Sequence, residues 1–176
     1  VKYSDKKISE FLEALSSRSP VPGGGSAAAL IGSLGASLLC MVIHFTVGKK
    51  GYEKESAEMK RTLSLAYRLR DRFAHLIDGD IESYLEVSRA QRTAKLLTKK
   101  EAKEKVLQKA LRTALASSLN ICKSSHRGIL LSQKVIQKGS AHLKSDAKAA
   151  GFFFFASFHA ASLLCEANLQ WLKDEA

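Results

Sequence analysis

The segment "SPVPGGGSAAALIGSLGASLLCMVIHFTVGKKGY", residues 19–52, decides the fold. In it two prolines and three consecutive glycines stand directly before the longest uncharged run of a chain otherwise dense in lysine and arginine. Glycine loses more backbone freedom on folding than any other residue, so three in a row mark a sharp turn or a close approach. Ser19 and Val21 each precede a proline and are kept out of the helical region. A helix then fits Ser26 to about Val47, with Ser26 as its cap and with Gly48, Lys49 and Lys50 ending it. Because this helix is apolar on nearly every side, it must be surrounded by others.

The run from Ser26 to Gly48 is also long enough to cross a bilayer. Its Gly32, Ser33, Gly35, Ser37, His44 and Thr46 suit close helix approach in a crowded soluble core equally well. A second uncharged run, Ala149 to Cys165, carries His159 and two serines. Central helices of a soluble protein, with no membrane partner, are the expectation for both.

Working outward, Ile8, Phe11, Leu12 and Leu15 share one face of a short first helix that stops in "SRSPVPGGG". A third helix, about 53 to 92, keeps apolar residues from Leu63 to Val87 in register, with "DGD" at 78–80 in its middle. Thr98 and Glu101 form a T-x-x-E capping box for a fourth helix ending near Lys138, before Gly139. Ser145 caps a last helix carrying Phe152 to Phe155. Strand signals are nearly absent. The pattern predicts an all-α fold: one domain over residues 1–176, an antiparallel bundle of about five helices around a buried central helix. The second and fifth helices have too little polar surface to stand against water, which predicts self-association, a homodimer or larger.

The chain has 176 residues, 28 Lys plus Arg against 17 Asp plus Glu, and a formal net charge of +11. Polyanions are therefore attracted, be they nucleic acid, a membrane surface or a carboxylated metabolite. The basic residues are interleaved with acids and no zinc-finger, RNP or basic-zipper pattern is present, so charge is the sole feature favouring nucleic acid. Cys40, Cys122 and Cys165 are odd in number and widely spaced, as expected of buried, reduced thiols in a cytoplasm. No targeting signal is read in "VKYSDKKISEFLEAL".

Gly23 to Ala28 fits G-x-G-x-x-A, but with no strand before it the dinucleotide fingerprint is rejected. Free N–H groups at a helix N-terminus, offering an anion or carbonyl site, and a simple tight corner both remain. Asp78 and Asp80 point in very different directions from one helix, so at most one faces the interior, where burial would tune it for proton transfer. The alternative is two exposed acids beside a helix break at Gly79. His142 and Asp146 have a metal-compatible spacing without a third ligand; no metal is expected.

The order "PVPGGGSAAALIGSLGASL", "TVGKKGY", "LIDGDIESYLEV", "KGSAHLKSDAKAA" resembles the formiminotransferase-cyclodeaminase C-terminal family, which includes free-standing methenyltetrahydrofolate cyclohydrolases. The resemblance covers roughly residues 7 to 173. It implies a helical, dimeric or larger enzyme whose substrate is a one-carbon tetrahydrofolate adduct. The implied reactions are hydrolysis of 5,10-methenyltetrahydrofolate to 10-formyltetrahydrofolate and closure of 5-formiminotetrahydrofolate with loss of ammonia. Its glycine loop falls on Pro22, Gly23, Gly24, Gly25 and Ser26, its basic turn on Gly48, Lys49 and Lys50, and its proton-transfer acid on Asp80, with Asp78 the alternative. Its late element falls on Gly139, Ser140, Ser145 and Asp146. Lys49 and Lys50 would suit the glutamate tail, single or polyglutamylated. The chain departs from the family at Ser140, Gly79 and Ile81, where asparagine and two alanines are usual. A folate-family bundle without catalysis, serving binding or assembly, and a basic nucleic-acid-binding protein are the alternatives.

Overall fold

A computed structural model describes residues 2–173. The first and last three positions of the expected 1–176 domain lie outside the described residues. Five α-helices, α1 (Ile8–Ser16), α2 (Gly24–His44), α3 (Ser56–Leu96), α4 (Lys100–Lys138) and α5 (Lys144–Leu169), follow one another, with a short 3-10 turn at Ala141–Leu143. Short connections make α2 to α5 an up-down-up-down bundle. α2 packs on α3 and α5 and also meets α4 across the diagonal. It is the buried central helix anticipated from its composition, with Ala28, Ala29, Ala36, Leu39, Val42 and Ile43 almost fully enclosed.

Missing side chains allow that close packing. A Cβ at Gly32 would lie 2.3 Å from the Phe73 ring, and one at Gly128 of α4 would lie 2.4 Å from the ring of Phe154. The two phenylalanines stack with centroids 6.1 Å apart in the space so left. Ser157 of α5 donates to the Ala28 carbonyl (2.7 Å) and receives the Ser125 hydroxyl (2.9 Å), satisfying polar groups deep between α2, α4 and α5. All three cysteines are free and buried.

Helix length shapes the molecule as much as packing does. At 1.5 Å per residue, α2 is about 32 Å long, α5 about 39 Å, and α3 and α4 about 60 Å each. Near the α4–α5 turn these helices share one end of the bundle, so at the other end the α3–α4 hairpin runs on past the start of α2.

Several expected termini shift. α2 begins at Gly24 with extended Gly23 (φ −129°, ψ −161°) as its cap, so Ser26 lies inside the first turn and caps nothing. α4 starts at Lys100 after Lys99, with no side-chain cap bond from Thr98. α5 continues directly from the 3-10 turn and takes in Ser145 as its second residue, so Ser145 is not a cap. On α1 only Phe11 is buried, edge-on to Tyr3, while Ile8 and Leu12 are exposed. α3 runs through Gly79 without a break.

The glycines therefore separate by function. Gly128→Ala should lower stability by about 1–3 kcal/mol through overpacking against Phe154. Gly79→Ala, where an added Cβ meets nothing within 4 Å, should raise it by about 0.5–1 kcal/mol through helix propensity. Urea unfolding of the two variants measures both; the same sign for both would contradict this packing.

Candidate active site

The segment of Pro20 and Pro22 leads into the start of α2, where the glycine loop meets the middle of α3. A Cβ at Gly25 would lie 2.0 Å from Asp80 Oδ1, so only glycine lets the carboxylate reach the first turn of α2. There the Ser26 hydroxyl donates to Asp80 Oδ2 at 2.9 Å. Burial pushes the Asp80 carboxyl above its ordinary range, and the Ser26 hydroxyl and backbone N–H partly offset that by favouring the charged form. The N-terminus of α2, which would otherwise welcome an external anion, already faces the protein's own carboxylate.

Asp78 performs a different task. Its carboxylate accepts from the backbone N–H of Tyr3 (2.7 Å), from that of Ser4 (3.3 Å) and from the Ser4 hydroxyl (2.6 Å). It ties the N-terminal segment to α3. Of the two acids expected to diverge, Asp80 faces the bundle interior; the picture of two exposed acids at a helix break is overturned because α3 continues and both carboxylates are engaged.

Asp80 borders a cavity of about 850 Å³ beneath the overhanging hairpin. Gly23, Gly24 and Gly25 close one side. Asp80, Ser83, Tyr84, Val87 and Gln91 line it from α3, and Lys100, Lys103, Glu104, Leu107, Gln108, Leu111, Ala114 and Ser118 from α4. Leu164, Ala167 and Asn168 of α5 complete the wall with Trp171 and Lys173. The segment after α5 is strapped to α4: Gln108 donates to the Trp171 carbonyl (3.1 Å) and accepts from the Lys173 N–H (3.0 Å), while Lys173 pairs with Glu104 at 2.5 Å. The size is that of a small-molecule site, with polar and charged side chains set among apolar walls.

The sequence-derived site residues fall into two places. Gly23, Gly24, Gly25 and Asp80 line the cavity, and buried Pro22 and Ser26 support it. Lys49, Lys50, Ser145 and Asp146 do not line it. Lys49 donates to Ser140 Oγ (2.9 Å) beside the Tyr52 ring, the Ser140 N–H donates to Thr46 Oγ1 (2.8 Å), and the Ala141 N–H donates to the Tyr52 hydroxyl (2.8 Å). The basic turn thus clasps the α4–α5 connection, about 32 Å along α2 from the glycines. Ser145 and Asp146 belong to the first turn of α5 beside that connection, and Lys50 is exposed.

Sequence reasoning missed Tyr84, Val87 and Gln91, and Leu107, Leu111, Ala114 and Ser118. Each set repeats at three and four residues, continuing from Asp80 in α3 and from Lys100 in α4. Such a stripe normally packs on another helix; here it faces the hollow.

The family model described as Formiminotransferase-cyclodeaminase matches residues 7–176. A methenyltetrahydrofolate cyclohydrolase of Methylorubrum extorquens is 35% identical over 173 residues, 98% of this chain and 83% of that protein. The formimidoyltransferase-cyclodeaminase of Gallus gallus is 30% identical over 152 residues, which span 80% of this chain and 28% of the longer relative. The crystal structure of a formiminotetrahydrofolate cyclodeaminase from Thermotoga maritima superimposes with a TM-score of 0.87 at 26% identity, over 97% of this chain and 81% of that one.

Asp80 gives stability a definite pH dependence. Its folded pKa is raised, so the native state holds this proton more tightly than the unfolded chain does. The favourable contribution is full below the unfolded pKa and is lost as pH rises through the folded one. Asp80→Asn removes this loss, so across that interval the variant should gain stability relative to the parent as pH rises. Urea unfolding at a series of pH values reads the difference; a variant that loses stability relative to the parent as pH rises would contradict the burial of the charge.

Proposed function

Because the chain belongs to the formiminotransferase-cyclodeaminase family, we propose that it is a tetrahydrofolate one-carbon enzyme whose proton-transfer residue is Asp80. Hydrolysis of 5,10-methenyltetrahydrofolate to 10-formyltetrahydrofolate is the first reading, supported by the likeness to a cyclohydrolase over most of both chains. Closure of 5-formiminotetrahydrofolate with loss of ammonia is the second, supported by the likeness in structure to a cyclodeaminase. One observation carries both: a half-buried carboxylate, held by Ser26 against the glycine loop, bordering a cavity of about 850 Å³.

The two reactions need the same service from Asp80. In hydrolysis, water oxygen bonds to the electron-poor bridge carbon while a water proton passes to Asp80. The carbon–N5 bond then breaks as N5 takes a proton, and the adduct hydroxyl loses one to become the formyl carbonyl on N10. One proton is released overall. In cyclisation N10 bonds to the carbon of the protonated formimino group, and Asp80 carries the proton lost by N10 to its =NH2+ nitrogen, which leaves as ammonia and leaves the positive charge on the methenyl bridge. A carboxyl raised by burial toward neutral pH suits either exchange. The apolar walls from Tyr84, Val87, Leu107 and Leu111 suit the flat pterin and benzoyl rings.

The same reading takes the protein to be a cytoplasmic homodimer without membrane or nucleic-acid partners. α2 and the Ala141–Leu169 stretch are each long and apolar enough to cross a membrane. α2, however, forms the interior of the bundle, and the side-by-side outer faces of α2 and α5 expose Leu34, Phe152, Phe155 and Leu163. A second copy applied antiparallel across these faces would cover them. It would also carry its Lys49 end toward the first copy's cavity. Light scattering without detergent should give twice the chain mass at micromolar concentration; a monomer would exclude the dimer.

Asp80→Asn keeps the volume and the Ser26 hydrogen bond but removes the titrating group. Turnover should fall by about 10²-fold or more with folate affinity little changed. The decay of methenyltetrahydrofolate absorbance, and ammonia release from the formimino substrate, separate the two reactions. Full activity in the variant excludes Asp80 as the proton carrier, and binding without turnover in the parent points to a non-catalytic folate protein.

A further inference from the structure

Beyond Leu169, where α5 ends, the chain does not leave the bundle. Gln170 and Trp171 add one further turn, in which the Trp171 N–H donates to the Asn168 carbonyl (3.3 Å) and the Leu172 N–H to the Leu169 carbonyl (3.1 Å). The side-chain amide of Gln108 then grips the backbone on either side of Leu172, donating to the Trp171 carbonyl and accepting from the Lys173 N–H, as a neighbouring strand would. Lys173 also pairs with Glu104, one turn earlier on α4. Because Gln108 and Glu104 themselves line the cavity, this hold fixes the backbone of residue 171 at its rim.

The backbone is held, but the side chain is not. Trp171, the single tryptophan of the chain, borders the cavity with 71% of its surface exposed. Among the described residues its ring meets no other aromatic ring and its indole N–H has no hydrogen-bond partner. Tryptophan carries a large apolar surface and is ordinarily well enclosed. Tyr84 of α3 borders the same cavity, half exposed, and the two rings do not stack on each other. A Cβ at Gly24 would lie 3.9 Å from Leu164 Cδ2, so Leu164 stands level with the glycine loop. Trp171 follows it by seven residues, about 10 Å farther along the helix axis. The indole thus stands over the half of the hollow that the glycine loop leaves open. We propose that Trp171 contacts the substrate: its indole closes over a flat ring of the bound folate, with Gln108 the positioning residue that holds it there. The assignment rests on the folate reading above. Exposed hydrogen bonds and ion pairs are individually weak, so the hold can open for a ligand and re-form around it.

The single tryptophan makes its own reporter. Acrylamide quenching of the fluorescence of the full chain should be strong without ligand and should fall when 5-formyltetrahydrofolate saturates the protein. Trp171→Ala should bind this folate about tenfold more weakly by calorimetry, and Trp171→Phe should recover most of the loss. The side chain is exposed, so both variants should fold. Gln108→Ala should weaken binding about threefold in the parent and hardly at all in the Trp171→Ala background, because a residue that acts through the indole has nothing left to position. An undiminished Gln108 effect in that background overturns its positioning role. Equal affinity in the parent and Trp171→Ala, or an indole as open to acrylamide with folate as without, overturns the Trp171 assignment and leaves the folate reading standing. An indole already shielded without ligand also overturns the assignment and indicates a covering surface from a second copy. No binding to the parent overturns the folate reading and this assignment with it.

Discussion

A Cβ at Gly25, Gly32 or Gly35 would come within 2.0 Å of Asp80, 2.3 Å of Phe73 or 3.2 Å of Phe154, so the distance between α2 and its neighbours is fixed by absent side chains. That narrow α2 lets Phe73 and Phe154 stack beneath it and brings α4 close enough to touch it across the diagonal. The same constraint at the start of the helix lets a carboxylate from α3 reach Ser26. Core packing and site geometry share one cause. Interiors are packed too densely for one of these approaches to relax without moving the others.

The chemistry follows from how Asp80 is enclosed. Desolvation opposes its charge, and the hydroxyl and amide of Ser26 partly restore it. The balance leaves an acid that holds its proton more tightly than a free aspartic acid does, at the border of the cavity. Its neighbour two positions earlier, Asp78, binds three donors from residues 3 and 4 and anchors the N-terminal segment. One turn of helix therefore carries both the anchor and the proposed proton carrier, and the divergence of their side chains keeps the two positions apart.

The helical bundle was legible because α3 and α4 carry apolar residues at helical spacing, α2 and α5 are long uncharged runs, and proline is confined to one loop. The core role of α2 could be read from its uncharged composition. The termini were harder: Ser26, Thr98 and Ser145 have the chemistry of caps, but the glycines let α2 start earlier, α4 starts after Lys99, and the 3-10 turn leads straight into α5. The glycine loop and the two acids stood out locally, whereas their contact across 54 positions of sequence could not be deduced from either alone. Lys49 drew attention as a folate-binding cation, yet its ammonium meets Ser140 from a distant connection. Tyr84, Gln91 and Leu111 were concealed because a stripe lining a hollow has the same spacing as one packed on a helix.

The overhang of α3 and α4 beyond α2 gives the hollow its depth. That depth is a difference between helix lengths, so it changes in steps of one turn, about 5.4 Å. Substitutions can reshape the walls, but insertion or deletion of three or four residues near the start of α2 would move the floor. Divergence in the size of the accepted ligand should thus be recorded in gaps within the glycine-loop region, with the distant core sequence left almost untouched.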